Sequence, residues 1–176
     1  MGYYVPYNEE ALKKISEEER KKGNLIVLTG GSFDIFHEGH VYFLNECKNQ
    51  GEKYMKSLNR NYNGSAVLFV NVKNDKRVRI TKSEDRPVFK EDSRAKRVSV
   101  VDVANYSTIN PLFEESPTRD LALLLKPDIL IKGDKDWTFE EKKSLRKFLG
   151  YKIKFGYVKR KEGISSTEIL RKIRDN

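Results

Sequence analysis

Residues 24–40 read NLIVLTGGSFDIFHEGH. An unbroken apolar run from Leu25 to Leu28 passes through Thr29 into a glycine pair, as a buried strand entering a tight turn does. Beyond the turn stand His37 and His40, the only two histidines of the 176 residues, with Gly39 between them. A helix is expected from about Gly39 through Lys48, with Val41, Leu44 and Cys47 on one side. Two imidazoles at i and i+3 near a helix start can face one ligand, and their N–H groups suit a phosphate whose charge shifts in a transition state. Gly39 would let backbone approach that ligand with no side chain in the way. A metal site would also group histidines in this way, and so would a pair whose rings are satisfied by backbone at the turn. A metal needs further ligands, and with no other His and the single Cys47 only carboxylates could supply them.

Outward from this stretch, helices alternate with strands. Residues 9–22 carry a helical pattern that stops at Gly23. SAVLFVNVKND, residues 65–75, is a second strand, and a helix around EDSRAKRVSVV leads to a short strand near VANYSTI. TRDLALLLK is a helix stopped by Pro127, and DILIKG is a strand ending at Gly133. Leu145, Phe148 and Leu149 share a helical face, with Gly150 placed as a C-cap. Tyr151, Ile153, Phe155 and Tyr157 then alternate with Lys152, Lys154 and Gly156, the rhythm of a strand with one wet face. Ser165, three residues before Glu168, opens the last helix with a capping-box pattern. The expected fold is α/β: a Rossmann-like open parallel sheet with helices on both faces. Residues 1–22 are expected as an N-terminal helical extension to a domain over 23–176, and the polar stretch near 49–64 as an excursion between the first helix of that domain and its second strand.

Composition narrows the function classes. Charged residues make up 35% and hydrophobic residues 38%, the balance of a globular chain. No apolar run approaches a membrane span. The opening MGYYVPYNEE has no signal layout, and Pro6 stands where a myristoylation site wants Ser or Thr. One cysteine excludes an internal disulfide. A cytoplasmic setting is expected. The net charge of +9 suits nucleic acid, an anionic surface or small phosphorylated ligands, but much of it sits where Glu and Lys interleave on helix faces.

In an open parallel sheet, ligands bind beyond the carboxyl ends of the strands. The chemistry-bearing residues collect there: Gly30 to His40 after the first strand, Asn74 and Asp75 after the second, Lys132 and Asp134 after DILIKG, and Arg160 with Ser165, Ser166 and Thr167 after the last. Imidazoles, cations, hydroxyls and a helix N-terminus all suit an anion. The chain has neither a P-loop nor a G-x-G-x-x-G dinucleotide fingerprint.

GSFDIFHEGH resembles the G-[TSC]-F-D-x-x-H-x-G-H of the nucleotidyltransferase superfamily that includes cytidylyltransferases and heptose-phosphate adenylyltransferases. RKEGISST resembles its R-T-x-G-I-S-[ST]-T. KSEDRP, with Lys82, Arg86 and Pro87, resembles the K-G-x-x-R-P of the heptose-type members, and Arg94 falls where they have a helix arginine. KPDILIKGDKDW resembles their K-P-D-x-L-V-K-G-x-D-Y, with one residue more. The resemblance runs from Asn24 to Ile173.

What it implies is direct nucleotidyl transfer. The phosphate of a small acceptor attacks the α-phosphorus of a nucleoside triphosphate and pyrophosphate leaves, with Mg²⁺ accompanying the triphosphate and no metal held by the protein alone. By resemblance His37, His40, Lys82 and Arg160 are catalytic. Gly31, Ser32, Phe33, Asp34 and Gly39 would line the nucleotide pocket, as would Lys132, Gly133 and Asp134. Gly163 and Ile164, with Ser165, Ser166 and Thr167, would hold the β- and γ-phosphates. Asp75 and Arg86 are assigned to the acceptor. RKEGISST leans to CTP and an alcohol phosphate such as glycerol 3-phosphate, whereas KPDILIKG and KSEDRP lean to ATP and a sugar phosphate; the second is favoured. The resemblance also implies a homodimer. Neither membrane nor nucleic acid is expected as a partner. A basic RNA-binding domain is the rival of another class, with nine Tyr and nine Phe for stacking, although several of these aromatics sit in core rhythm. A class I aminoacyl-tRNA synthetase fragment shares H-x-G-H, but the chain is too short for an anticodon domain.

Overall fold

The computed structural model describes residues 2–58, 63–111, 117–133 and 135–175. Six strands, β1 (Tyr3–Tyr4), β2 (Leu25–Gly31), β3 (Ala66–Val72), β4 (Tyr106–Thr108), β5 (Ile129–Gly133) and β6 (Lys154–Val158), form one sheet in the order β1-β4-β3-β2-β5-β6. Every pairing is parallel. Among the described residues seven helices accompany them: α1 (Glu9–Lys21), α2 (Glu38–Ser57), α3 (Asp75–Thr81), α4 (Glu91–Ser99), α5 (Pro117–Leu125), α6 (Phe139–Leu149) and α7 (Ser166–Arg174).

The central strands are apolar throughout because both faces are covered. Along β2, Leu25 and Val27 pack with Leu44, Cys47 and Met55 of α2, while Ile26 and Leu28 pack with Leu12 of α1 and Leu121 of α5. This is the expected Rossmann-like arrangement, and the order reverses at β2, whose neighbours are β3 and β5. That reversal opens a crevice at the carboxyl ends of the strands.

Three elements differ from expectation. α2 runs to Ser57, so residues 49–57 are helix and not an excursion. Leu44, Cys47, Gly51 and Met55 are its buried positions, a helical period that its polar neighbours and a glycine conceal. A short helix, α3, follows β3; Asn74 caps it by accepting from the Arg77 N–H at 2.8 Å. The first 22 residues supply an edge strand as well as a helix, since Tyr3 and Tyr4 pair with Tyr106 and Ser107.

Gly150, at φ 73°, ends α6 in the left-handed conformation the sequence anticipated. In β6 the expected alternation holds for Phe155, which packs against the core, whereas Tyr157 is exposed at the sheet edge and Val158 is buried.

Candidate active site

After Gly31 the chain turns through Ser32, Phe33 and Asp34. Phe33 takes a positive φ of 48°, rare for a residue with a side chain. Its buried ring lies where a Cβ on Gly31 would stand, 2.9 Å away, and its centroid is 5.3 Å from that of His40. Asp34 faces away from solvent. Its carboxylate accepts from Arg86 Nε at 2.6 Å and from the Val88 and Phe89 N–H groups at 3.0 Å each. Arg94, fully buried, donates to the carbonyls of Phe89, Ser32 and Lys73 and to the Asp75 carboxylate. These two ion pairs bind the turn after β2, the end of β3 and the 86–89 segment into one rigid wall.

The histidines form the start of α2. His37 is the N-cap, and its Nδ1 accepts from the Gly39 N–H at 3.1 Å. His40 Nδ1 accepts in turn from the His37 N–H, a long bond of 3.4 Å. An imidazole whose Nδ1 accepts carries its proton on Nε2, so each ring keeps an Nε2–H donor. The rings stack with centroids 3.9 Å apart. Burial, then the charges of His37, Lys82 and Arg160, push His40 down to about 3. Burial and Arg160 also lower His37. Both rings are therefore neutral donors at pH 7. Gly39 also has a steric reason to lack a side chain: a Cβ there would stand 2.9 Å from the His37 ring and 3.2 Å from Ile164.

Across the crevice lies the start of α7. Ser165 caps it by accepting from the Glu168 N–H at 3.1 Å, and Ser166 Oγ donates to the Ile35 carbonyl at 3.3 Å, tying this helix to the glycine turn. Two helix N-termini thus converge, each with a partial positive charge. The cleft between them has a volume of about 370 Å³. Lys73, Lys82, Lys132, Lys159, Arg160 and Lys161 line it, and among the described residues no carboxylate does. Lys132 donates to both Glu141 oxygens at 2.9 and 2.8 Å, with its ammonium 4.5 Å from the centre of the Trp137 ring. Lys161 pairs with Glu38 at 3.2 Å. No group of three or more His, Cys, Asp or Glu that could hold a metal ion occurs among the described residues.

The structure brings most of the residues singled out from sequence to this cleft. Gly31, Ser32 and Phe33 line it, as do His37, Gly39 and His40; so do Lys82, Lys132, Gly133 and Arg160, and the run Ile164 to Thr167. Gly163, at φ 78°, turns the chain beside it. Asp134 lies outside the described residues.

Asp34, Asp75 and Arg86 are not brought to the cleft. Asp34 and Arg86 neutralise each other in the interior, and Asp75 is held by Arg94. Three lining cations were not assigned to the site from the sequence. Lys159 and Lys161 flank Arg160. Lys73 directly follows β3, a position that the strand-end rule itself would have marked.

The chain matches the cytidylyltransferase-like family over residues 28–172. It is 32% identical over 168 residues to the bifunctional protein HldE of Trichlorobacter lovleyi, covering 94% of this chain and 30% of that protein. It is 36% identical over 124 residues to the bifunctional protein HldE of Nitratiruptor sp., covering 70% of this chain and 23% of that one. The chain thus spans under a third of the length of these relatives. Among solved structures, the lipopolysaccharide core biosynthesis protein from Thermoplasma volcanium GSS1 superposes with a TM-score of 0.61 at 26% identity, over 78% of this chain and 98% of that one. The stacked histidine pair facing a hydroxyl-capped helix is thus framed by a matched domain, and the chain belongs to the cytidylyltransferase-like family of nucleotidyltransferases.

Proposed function

We propose that the chain transfers a nucleotidyl group, AMP in preference to CMP, from a nucleoside triphosphate to a small phosphorylated acceptor such as a sugar phosphate, releasing pyrophosphate. One observation carries this reading: two neutral imidazoles with Nε2–H donors stand opposite the start of α7, across a cleft lined by cations. An oxygen of the acceptor phosphate bonds to the α-phosphorus, and the bond from that phosphorus to the bridging oxygen breaks, its electron pair leaving with pyrophosphate. The site offers donors and no evident base, as suits a nucleophile already anionic; its work is positioning and charge stabilisation. Neutral imidazoles donate to α-phosphate oxygens without acquiring a proton that must later be shed. Arg160, Lys82 and the amides of α7 offset the charge of the β- and γ-phosphates. Mg²⁺ fits as a companion of the triphosphate, held by phosphate oxygens, because the described lining residues include no carboxylate.

Pyrophosphate release, measured for four nucleoside triphosphates crossed with sugar and alcohol phosphates, tests the proposal. Release with ATP and a sugar phosphate is the expected outcome. Release with CTP and an alcohol phosphate would move the assignment to cytidylyl transfer, and no release across the whole panel would refute it.

A further inference from the structure

Asp75 and Arg86, assigned to the acceptor from sequence, lie outside the cleft lining, paired with Arg94 and Asp34. On the nucleotidyl-transfer reading, the sheet order gives the acceptor a direction of approach. In an in-line displacement the attacking and leaving oxygens lie on opposite sides of phosphorus. With the α-phosphorus at the histidine pair beyond β2, and pyrophosphate leaving toward Arg160 and α7, the leaving group occupies the β5–β6 side. The nucleophile then comes from the β3 side. Lys73 directly follows β3 and lines the cleft there. Its backbone is fixed at both ends, its N–H donating to the Gly31 carbonyl at 2.9 Å and its carbonyl accepting from Arg94 at 2.7 Å.

From this geometry we infer that Lys73 binds the phosphate of the acceptor and sets the preference for a phosphorylated nucleophile. The inference rests on the nucleotidyl-transfer reading above and adds to it the residue that selects the second substrate. Lys73 is half-buried, and among the described residues no carboxylate pairs with its ammonium. A cation in that position costs stability unless an anion reaches it. Burial, with the neighbouring charges of Arg77 and Lys82, already lowers its pKa, and an arriving phosphate would reverse that. A lysine also suits a rotating terminal phosphate, since its ammonium acts as a point charge on a flexible stem.

The test is calorimetric titration of inorganic phosphate into the protein saturated with Mg²⁺ and α,β-methylene ATP, or with the CTP counterpart, which cannot turn over. Lys73→Gln should weaken phosphate binding about 10- to 100-fold, the scale of one lost charged hydrogen bond. The analogue's own affinity should stay within about twofold, and Lys73→Arg should recover most of the loss. Thermal melting of each variant checks that it folds; Lys73→Met, which keeps the apolar stem, replaces Gln if that variant melts early. Unchanged phosphate binding, or an equal weakening of the analogue, would overturn the role of Lys73 while leaving nucleotide binding in place. Failure of the wild-type protein to bind either analogue would instead remove the nucleotidyl-transfer reading, and this inference with it.

Discussion

His37 both caps α2 and offers a donor to the cleft, so its substitution must separate the two duties. Asn is a strong N-cap but cannot place a donor where Nε2–H stands, and Gln at the third helical position can keep the bond that His40 accepts. His37→Asn and His40→Gln should each lower turnover by about 10²–10³ with little change in melting temperature. Wild-type turnover in either would remove that ring from the chemistry. Acid offers a second measurement. The folded-state pKa of His40 is about 3, against about 6.5 unfolded, so the unfolded chain binds more protons between those values. Stability from this residue is therefore complete above about pH 6.5 and is lost as pH falls toward 3, by at most about 1.4 kcal/mol per pH unit. Denaturant unfolding at pH 7 and pH 5 should show a drop about 1–2 kcal/mol larger in wild type than in His40→Gln; equal drops would mean that the ring is not held neutral by the fold. The histidine pair was legible because both rings fell in one short motif. The partnership of Asp34 with Arg86 was not, since the two stand 52 positions apart and only packing reveals that each carries the other's charge.

Element by element, the turn after β2 owes its rigidity to that buried pair. Asp34→Ala leaves Arg86 buried with no counter-charge and should cost about 3–5 kcal/mol in chemical denaturation. Asp34→Ala combined with Arg86→Met should recover part of this, because the stranded charge goes too. A double variant as unstable as the single one would show that the carboxylate's bonds to the Val88 and Phe89 N–H groups, not the ion pair, hold the segment. Most helices and strands were readable from local pattern: the helix before Gly23, the Ser165 cap, the Gly150 stop, the apolar runs of β2 and β3. The second half of α2 was hidden by composition. Gly51 there is buried against Val27 and Ala66, where a Cβ would stand 2.4 and 2.9 Å from them, so its smallness does the packing that an apolar side chain does elsewhere.

In the whole molecule, the first 22 residues share the core of the nucleotidyltransferase domain. Leu12 is fully buried against β2 and α5, so Leu12→Ala should cost about 2–5 kcal/mol in denaturant unfolding. A loss under about 1 kcal/mol would show α1 to be a detachable extension. No helix among the described residues is long and apolar enough to cross a membrane. By itself the amino-acid order determined the alternation of strand and helix, the parallel sheet and the segments that meet at its carboxyl edge, because periodicity, caps and strand ends are local properties. Only the tertiary structure decided which charges inside those segments remain to meet a ligand. Asp34, Asp75, Arg86 and Arg94 cancel one another in the wall, while Lys73 faces the cleft, and that division depends on distances between residues far apart in the chain.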